Sequence, residues 1–321
     1  MPSVSLVIPV FNASATLNEL HRQLVAVMEE QSSEFEIIFV EDCGKDDSWD
    51  IITRISNHDE RVKGIQLSRN FGQHNALLCG IRAATGEVVV TLDDDLQNPP
   101  GEIPRLLQKL DEGFDVVYGS PVRMQHGLLR NAASYLTKLA LQSVMGAEVA
   151  RHVNAFRAFR TELRRSFAEF RGPFVSIDVL LSWGTTSFAN VRVAQEPRSA
   201  GDSNYTLGKL IQHAINLMTG FSTLPLQVAS ILGFIFTIFG AGVLAWVVGR
   251  YFVQGTSIPG FPFLASIIAI FSGAQLFALG IFGEYLARMH FRTMDRPAYN
   301  VRTTCSSESD KPASDSHYNQ K

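Results

Sequence analysis

Between His213 and Arg250, and again between Arg250 and Glu284, the chain carries no acidic or basic side chain. Within these intervals Leu226–Val248 and Phe261–Gly283 are each about 23 residues long, enough to cross a hydrocarbon core roughly 30 Å thick. Each holds about a dozen Leu, Ile, Val or Phe residues. At roughly −0.3 to −0.6 kcal/mol apiece, these favour insertion by several kcal/mol, and no central charge opposes it. The alternative is a pair of buried core helices, but two adjacent uncharged stretches of this length are rare in soluble folds. Two transmembrane helices are therefore expected.

The charges around them set an orientation. Arg250 is the only charge near the connecting loop; Lys209 precedes the first span, and Arg288, Arg292, Arg296 and Arg302 follow the second. The basic excess predicts that both ends face the cytoplasm. Trp246, Tyr251 and Phe252 would then lie at the far interface. Just before the first span, Leu207, Leu210, Ile211, Ala214, Ile215 and Met218 recur at helical spacing, with Lys209 and His213 on the other face. This reads either as a helix lying on the membrane surface or as an amphipathic helix packed on the preceding domain.

The N-terminal two thirds of the chain are organised differently. Val4–Pro9, Glu36–Val40, Lys63–Leu67, Glu87–Leu92 and Asp115–Gly119 are short, rich in Val and Ile, and bounded by turn or charged residues, as buried parallel strands are. Helix-length segments such as Ala15–Glu30 and Ser48–Asn57 lie between them. The expected fold class is α/β, a mostly parallel sheet with helices on both faces, followed by the two-helix hairpin. Four regions are expected: a cytosolic domain over 1–203, the interfacial helix over 204–221, two membrane helices over 222–288, and a tail over 289–321, disordered after about Thr303. The start of the chain lacks the basic and apolar pattern of a secretory signal. Cys43, Cys79 and Cys305 show no metal-ligand spacing and read as free thiols in a reducing compartment. The net charge of −3 carries no nucleic-acid signature.

In open sheets of this kind ligands bind beyond the carboxyl ends of the strands. One such end is chemically loaded: Thr91-Leu-Asp-Asp-Asp-Leu-Gln-Asn-Pro-Pro100. Asp93, Asp94 and Asp95 repel one another, and holding them together is costly unless a cation neutralises them. All-oxygen ligands suit Mg²⁺ or Mn²⁺, which usually bind substrate phosphates as well. On an extended chain Asp93, Asp95 and Gln97 would project to the same side. The alternative is a solvated acidic turn capping the next helix. An earlier strand ends in Glu41-Asp42-Cys43-Gly44-Lys45-Asp46-Asp47-Ser48. There Asp42 is a candidate acceptor for a base N–H or a ribose hydroxyl, and the alternative is that Asp46, Asp47 and Ser48 cap the following helix, Asp47 or Ser48 foremost. Pro9-Val-Phe11-Asn12 ends the first strand and could floor a base site.

Together these pieces resemble glycosyltransferase family 2 with a GT-A fold. More narrowly they resemble its polyprenyl-phosphate branch, which includes dolichol-phosphate mannose synthase, bactoprenol glucosyltransferases and undecaprenyl-phosphate formamido-arabinose transferases. The carriers are Val-Ile-Pro-Val-Phe-Asn12, Glu41-Asp42, Leu67-Ser-Arg-Asn-Phe-Gly-Gln-His74, the Asp-rich segment, Arg198-Ser-Ala-Gly-Asp-Ser-Asn-Tyr205 and Gly283-Glu-Tyr-Leu-Ala-Arg288. They extend over roughly Ser3 to Arg302. The resemblance implies a nucleotide-sugar donor, a polyprenyl phosphate acceptor, an Mg²⁺ or Mn²⁺ ion at Asp93, Asp95 and Gln97, and a cytoplasmic-membrane location. It implies a nucleotide site made by Pro9, Phe11, Asn12, Glu41, Asp42, Asp93 and Asp94. It places Arg123, Arg130 and Ser134 at the acceptor phosphate and Arg198 on a loop over the diphosphate; with Asp95 these arginines form the catalytic set. Small residues such as Gly240, Gly242 and Gly273 would permit helix association and a homo-oligomer.

Three positions depart from the family pattern. Glu41-Asp42-Cys43-Gly44 replaces Asp-Asp-Gly-Ser, Asn154 stands where relatives often carry an acid, and Gly101 replaces a Glu. Asp178 reads as a helix-surface carboxylate or, alternatively, as a base. Two further readings are a processive polysaccharide synthase, whose Arg-Trp pair is absent from this chain, and a non-catalytic nucleotide-sugar-binding membrane protein.

Overall fold

The computed structural model describes residues 2–31, 34–121, 142, 153–172, 174–195, 223–254, 260–294 and 296–307. The five expected strands form within one or two residues of their expected bounds: β1 (Val4–Val10), β2 (Phe35–Glu41), β3 (Val62–Leu67), β4 (Val88–Thr91) and β5 (Val116–Pro121). Three more complete the sheet: β6 (Arg157–Arg160), β7 (Phe188–Val193) and β8 (Val301–Cys305). The order is β7-β5-β6-β4-β1-β2-β3-β8. Its block β4-β1-β2-β3 is parallel throughout, as the alternation of strands and helices requires. The sheet is more mixed than expected, because β6 runs antiparallel between β4 and β5, and β8 runs antiparallel on the β3 edge.

Every residue of β1 is buried, so its two faces feed two cores. Leu6 and Ile8 join Leu17, Leu20 and Leu24 of α1 (Leu17–Glu30), Ile52 of α2 (Ser48–His58) and Leu106 of α4 (Ile103–Asp111). Val7 joins α3 (Gln73–Ala83) and α5 (Ile177–Ser182) on the opposite face. Helix α3 lies very close to the sheet. A Cβ on Gly80 would come within 2.4 Å of the Val7 side chain, so only glycine allows this approach. The approach sets where the N-terminus of α3, with Gln73, meets the end of β4.

Under that strand end lies a buried polar network. Arg157 and Asp178 are 1% and 5% exposed and form an ion pair. Arg157 Nε also donates to Thr91 Oγ1 (3.0 Å), Thr91 donates to the Ala155 carbonyl (2.7 Å), and the Tyr118 hydroxyl donates to Asp178 (3.0 Å). Burial, and then the neighbouring Asp178, pushes the Tyr118 hydroxyl well above its usual pKa. Asp178 is therefore neither a surface carboxylate nor a base open to solvent; it is the counter-ion that allows β6 to carry a buried arginine.

Beyond the sheet, α6 (Leu224–Gln254) and α7 (Phe261–Thr293) contain two stretches long and apolar enough to cross a membrane, Pro225–Arg250 and Ile270–His290. Among the described residues neither apolar window is buried, which argues against the buried-core alternative. The helices touch each other through Phe236 and Phe271, with ring centroids 5.7 Å apart. The segment 204–221 lies outside the described residues.

The expectation of a tail disordered from about Thr303 fails at its start. Residues 296–307 return to the first domain: β8 pairs with β3, and the backbone N–H of Ser68 donates to the Asn300 carbonyl (2.9 Å). Ala298 is buried, and its carbonyl accepts from Asn75 Nδ2.

Removing one member of a buried ion pair strands the other, at a typical cost of about 3–5 kcal/mol. Asp178→Ala is expected to lower thermal stability in detergent sharply. The double change Asp178→Leu with Arg157→Met should cost less than either single change, measured as midpoints of unfolding.

Candidate active site

The carboxyl ends of β4, β1 and β2 lie side by side in the sheet. Three loops therefore meet at one edge, and hydrogen bonds join them. Asp94 Oδ2 accepts from the Phe11 backbone N–H (3.0 Å), and the Asp94 carbonyl accepts from Thr16 Oγ1 (2.6 Å). Asn12 Oδ1 accepts from the Lys45 N–H (2.7 Å), and Glu41 Oε1 from the Gly44 N–H. Asp93 Oδ1 accepts from Gln73 Nε2 of α3 (2.6 Å), while Asp95 Oδ1 closes a local turn with the Gln97 N–H (3.1 Å). The three successive carboxylates thus take three different directions: one to the β1 loop, one to α3 and one to its own turn.

The backbone is strained at the same three places. Asn12, Cys43 and Leu96 have φ values of 54°, 55° and 61°, the only non-glycine residues at positive φ among those described. Asn tolerates this region, whereas leucine and cysteine do so at roughly 1–2 kcal/mol each. Such strain persists where the surrounding structure over-determines it, and it clusters at functional sites. Cys43 occupies the position where the resembled family has glycine, and its φ explains that preference. Leu96 shows why the alternation expected for Asp93, Asp95 and Gln97 does not hold: β4 ends at Thr91, and the chain then turns.

Burial first, and then the charges of Asp93 and Asp95, push the Asp94 carboxyl up to about 7. Among the described residues, no three His, Cys, Asp or Glu side chains converge into a closed metal cage. An open, all-oxygen site with one or two carboxylates fits Mg²⁺ or Mn²⁺, whose remaining ligands are typically water and substrate phosphates. Asp93 and Asp95 are only partly buried and meet that description.

The remaining expected residues divide. Phe11, 42% exposed, stands at the mouth with Asn12. Pro9 lies inside β1 opposite Val40 and is buried, so it supports the site from below. Asp42 is 3% exposed, and both its oxygens accept backbone N–H groups, from Phe71 and Gly72 at 2.7 Å each. Burial raises its pKa despite these bonds. Its observed role is to hold the Asn70–Gly72 turn that starts α3. Its neighbour Glu41 is 2% exposed, and Glu41 Oε2 has no hydrogen-bond partner among the described residues. The helix-cap expectation also shifts: Asp46, not Asp47 or Ser48, accepts from the Ser48 N–H (3.2 Å) and the Ser14 N–H (2.8 Å). Ser48 Oγ instead accepts from the Ala13 N–H (3.0 Å). Asn154 is committed to the backbone, donating to the Gly119 carbonyl (2.6 Å) and accepting from the Ala155 N–H (2.7 Å). Arg123, Arg130, Ser134 and Arg198 lie outside the described residues. Sequence reasoning did not single out Gln73 or Thr16; the quoted Asn-Phe-Gly-Gln-His run contained the first.

A family model described as "Glycosyl transferase family 2" matches residues 5–168. Undecaprenyl-phosphate 4-deoxy-4-formamido-L-arabinose transferase of Salmonella paratyphi A is 33% identical over 317 residues, covering 98% of this chain and 97% of the relative. The protein of that name from Pseudomonas syringae pv. syringae is 34% identical, covering 95% of this chain and 92% of the relative. Among solved structures, glucosyl-3-phosphoglycerate synthase of M. tuberculosis with Mn²⁺, UDP-glucose and phosphoglyceric acid shares the fold. Its TM-score is 0.51 at 20% identity, over 68% of this chain and 78% of the other.

Asp42→Ala would leave the Phe71 and Gly72 N–H groups unsatisfied, at about 1–3 kcal/mol each. The variant is expected to unfold at lower temperature. Its nucleotide affinity, titrated below that temperature, is expected to fall less than that of Glu41→Gln.

Proposed function

We propose, for a chain that belongs to glycosyl transferase family 2, that it transfers a monosaccharide from a UDP-linked donor to undecaprenyl phosphate, with inversion at the sugar. The observation that carries this reading is a loop cluster with three successive carboxylates, on a domain tied through β8 to two uncovered apolar helices. The near full-length relatives named as undecaprenyl-phosphate transferases support the acceptor. The UDP-glucose and Mn²⁺ of the fold neighbour are in keeping with the donor and the metal.

The chemistry follows from charge. A nucleotide sugar leaves as a diphosphate, and a divalent ion held by Asp93 and Asp95, with Gln97 beside them, would neutralise that leaving charge as a Lewis acid. Asp94 serves the site by joining the β4 turn to the β1 loop rather than by presenting a free charge. The buried Glu41 Oε2 supplies an acceptor for an N–H or O–H of the nucleoside, with Phe11 and Asn12 at the mouth. A phosphate monoester has a second pKa near 6 and is largely dianionic at neutral pH. It needs orientation rather than deprotonation, so an Asn at position 154 is tolerable. Arg123, Arg130 and Ser134 would orient it, and Arg198 would close on the diphosphate with charge-assisted hydrogen bonds. On this reading the domain and both termini would face the cytoplasm at the cytoplasmic membrane, as the basic residues flanking the two spans favour.

The purified full chain, offered a panel of UDP-sugars that includes 4-deoxy-4-formamido-L-arabinose, is expected to yield one lipid-linked monosaccharide, identified by mass. A polymer, or donor binding without product, would overturn the reading. Asp95→Ala should abolish transfer while the unfolding temperature holds. Arg130→Ala should raise the KM for lipid phosphate roughly tenfold or more, the scale of a lost charged hydrogen bond, while donor affinity stays unchanged.

A further inference from the structure

Beside the turn that Asp42 holds, and lined by none of the loop carboxylates, a cavity of about 240 Å³ opens where the chain leaves α7. One wall is Arg69, Asn70 and Phe71 from the loop after β3; the other is Phe174 with Arg296 and Pro297. We infer that this cavity binds the phosphate headgroup of a membrane lipid, at a site separate from the one where sugar is transferred.

Placement comes first. Arg296 follows the end of α7 by three residues. Phe174, 39% exposed, lies under the guanidinium of Arg288 on α7, 4.8 Å from ring centroid to carbon. The cavity therefore opens at the level where an apolar helix gives way to charged residues, the depth of lipid headgroups.

Construction comes second. Arg296 follows a membrane helix, yet its position is set by the catalytic domain: Ala298 is buried and bonded to Asn75, and β8 then pairs with β3. Arg69 is stacked on Phe71, its guanidinium carbon 4.4 Å from the ring centroid. Stacking occupies the flat face of the guanidinium and leaves its in-plane donors free, the geometry that suits phosphate oxygens. Among the described residues no carboxylate pairs with Arg69 or Arg296; the nearby Glu284 is paired with Arg288. Two cations with no carboxylate partner among the described residues, at the level of a bilayer surface, suit an anion.

Size and polarity identify the class. Whole-ligand pockets run to roughly 300–1,000 Å³, so this one suits a headgroup whose tail remains in the bilayer. Phe174 and Phe71 offer the glycerol or first isoprene carbons an apolar rim. The phosphate could be that of an anionic phospholipid or of a polyprenyl phosphate, and the experiment separates these.

Full-length protein in detergent is titrated with phosphatidylglycerol, undecaprenyl phosphate or phosphatidylcholine, and bound lipid is counted by native mass spectrometry. Arg69→Gln and Arg296→Gln are each expected to weaken adducts of an anionic lipid roughly fivefold, the worth of one basic side chain near an anionic surface. Arg296→Lys should retain most of the affinity, and phosphatidylcholine adducts should not move. Loss confined to phosphatidylglycerol assigns the site to bulk lipid; loss confined to undecaprenyl phosphate makes it a holding site for the acceptor. Unchanged adducts of both lipids, in variants that unfold at the wild-type temperature, would overturn the inference. The readout needs no turnover, so it stands or falls separately from the transfer reaction.

Discussion

Three carboxylates in succession at a strand end repel one another, and the architecture around β4 is arranged to hold them there. Only one of the three is bonded to the β1 loop: Asp94 accepts a backbone N–H there, and burial and its neighbours raise its pKa. Asp93 is bonded to Gln73 of α3 and Asp95 to its own turn. That division depends on the sheet order, because β1 and β4 must be parallel neighbours for Phe11 to reach Asp94. The positive φ of Leu96 completes the turn, a local cost accepted because the flanking bonds leave the chain no easier path.

Beneath this edge the support is itself ionic. Arg157 crosses the core from the antiparallel strand β6 to hold Thr91, and Asp178 from α5 neutralises it. A buried pair of this kind adds little net stability over an apolar replacement. What it supplies is direction, since it adds a side-chain tie to the backbone pairing of β4 with β6 and joins both to α5. Asp42 does similar work at the next strand, fixing the turn from which α3 brings Gln73 to Asp93.

The membrane helices are not a detachable anchor. The chain returns from α7 to the sheet edge, and the loop after β3 at Ser68 and the first turn of α3 at Asn75 are bonded to that returning segment. The hairpin is thus linked through the returning segment to the stretch whose turn Asp42 holds, one residue before α3.

Much of this was legible in the amino acids because the signals are local. Uncharged runs of 23 residues exclude water wherever they go; short Val/Ile runs between helix-length segments impose a parallel block; and Asp93–Asp95 after such a run place charge at a strand end whatever the rest of the fold does. Other features left no local trace. Strand β6 has only four residues, with arginine at both ends, and reads as polar until Asp178, 21 positions away, is seen to neutralise it. Strand β8 pairs through backbone groups that every residue possesses, so nothing in its side chains announces a partner more than 200 positions earlier. The roles of Glu41 and Asp42 were settled by which carboxylate found N–H donors across the loop, a matter of three-dimensional proximity that composition does not encode. Sequence alone therefore determined the class of the fold, the membrane helices and where the acids stand; only tertiary structure decided which acid holds the scaffold and which faces the cleft, because hydrophobic pattern acts between near neighbours while hydrogen bonds are chosen among whatever groups folding brings together.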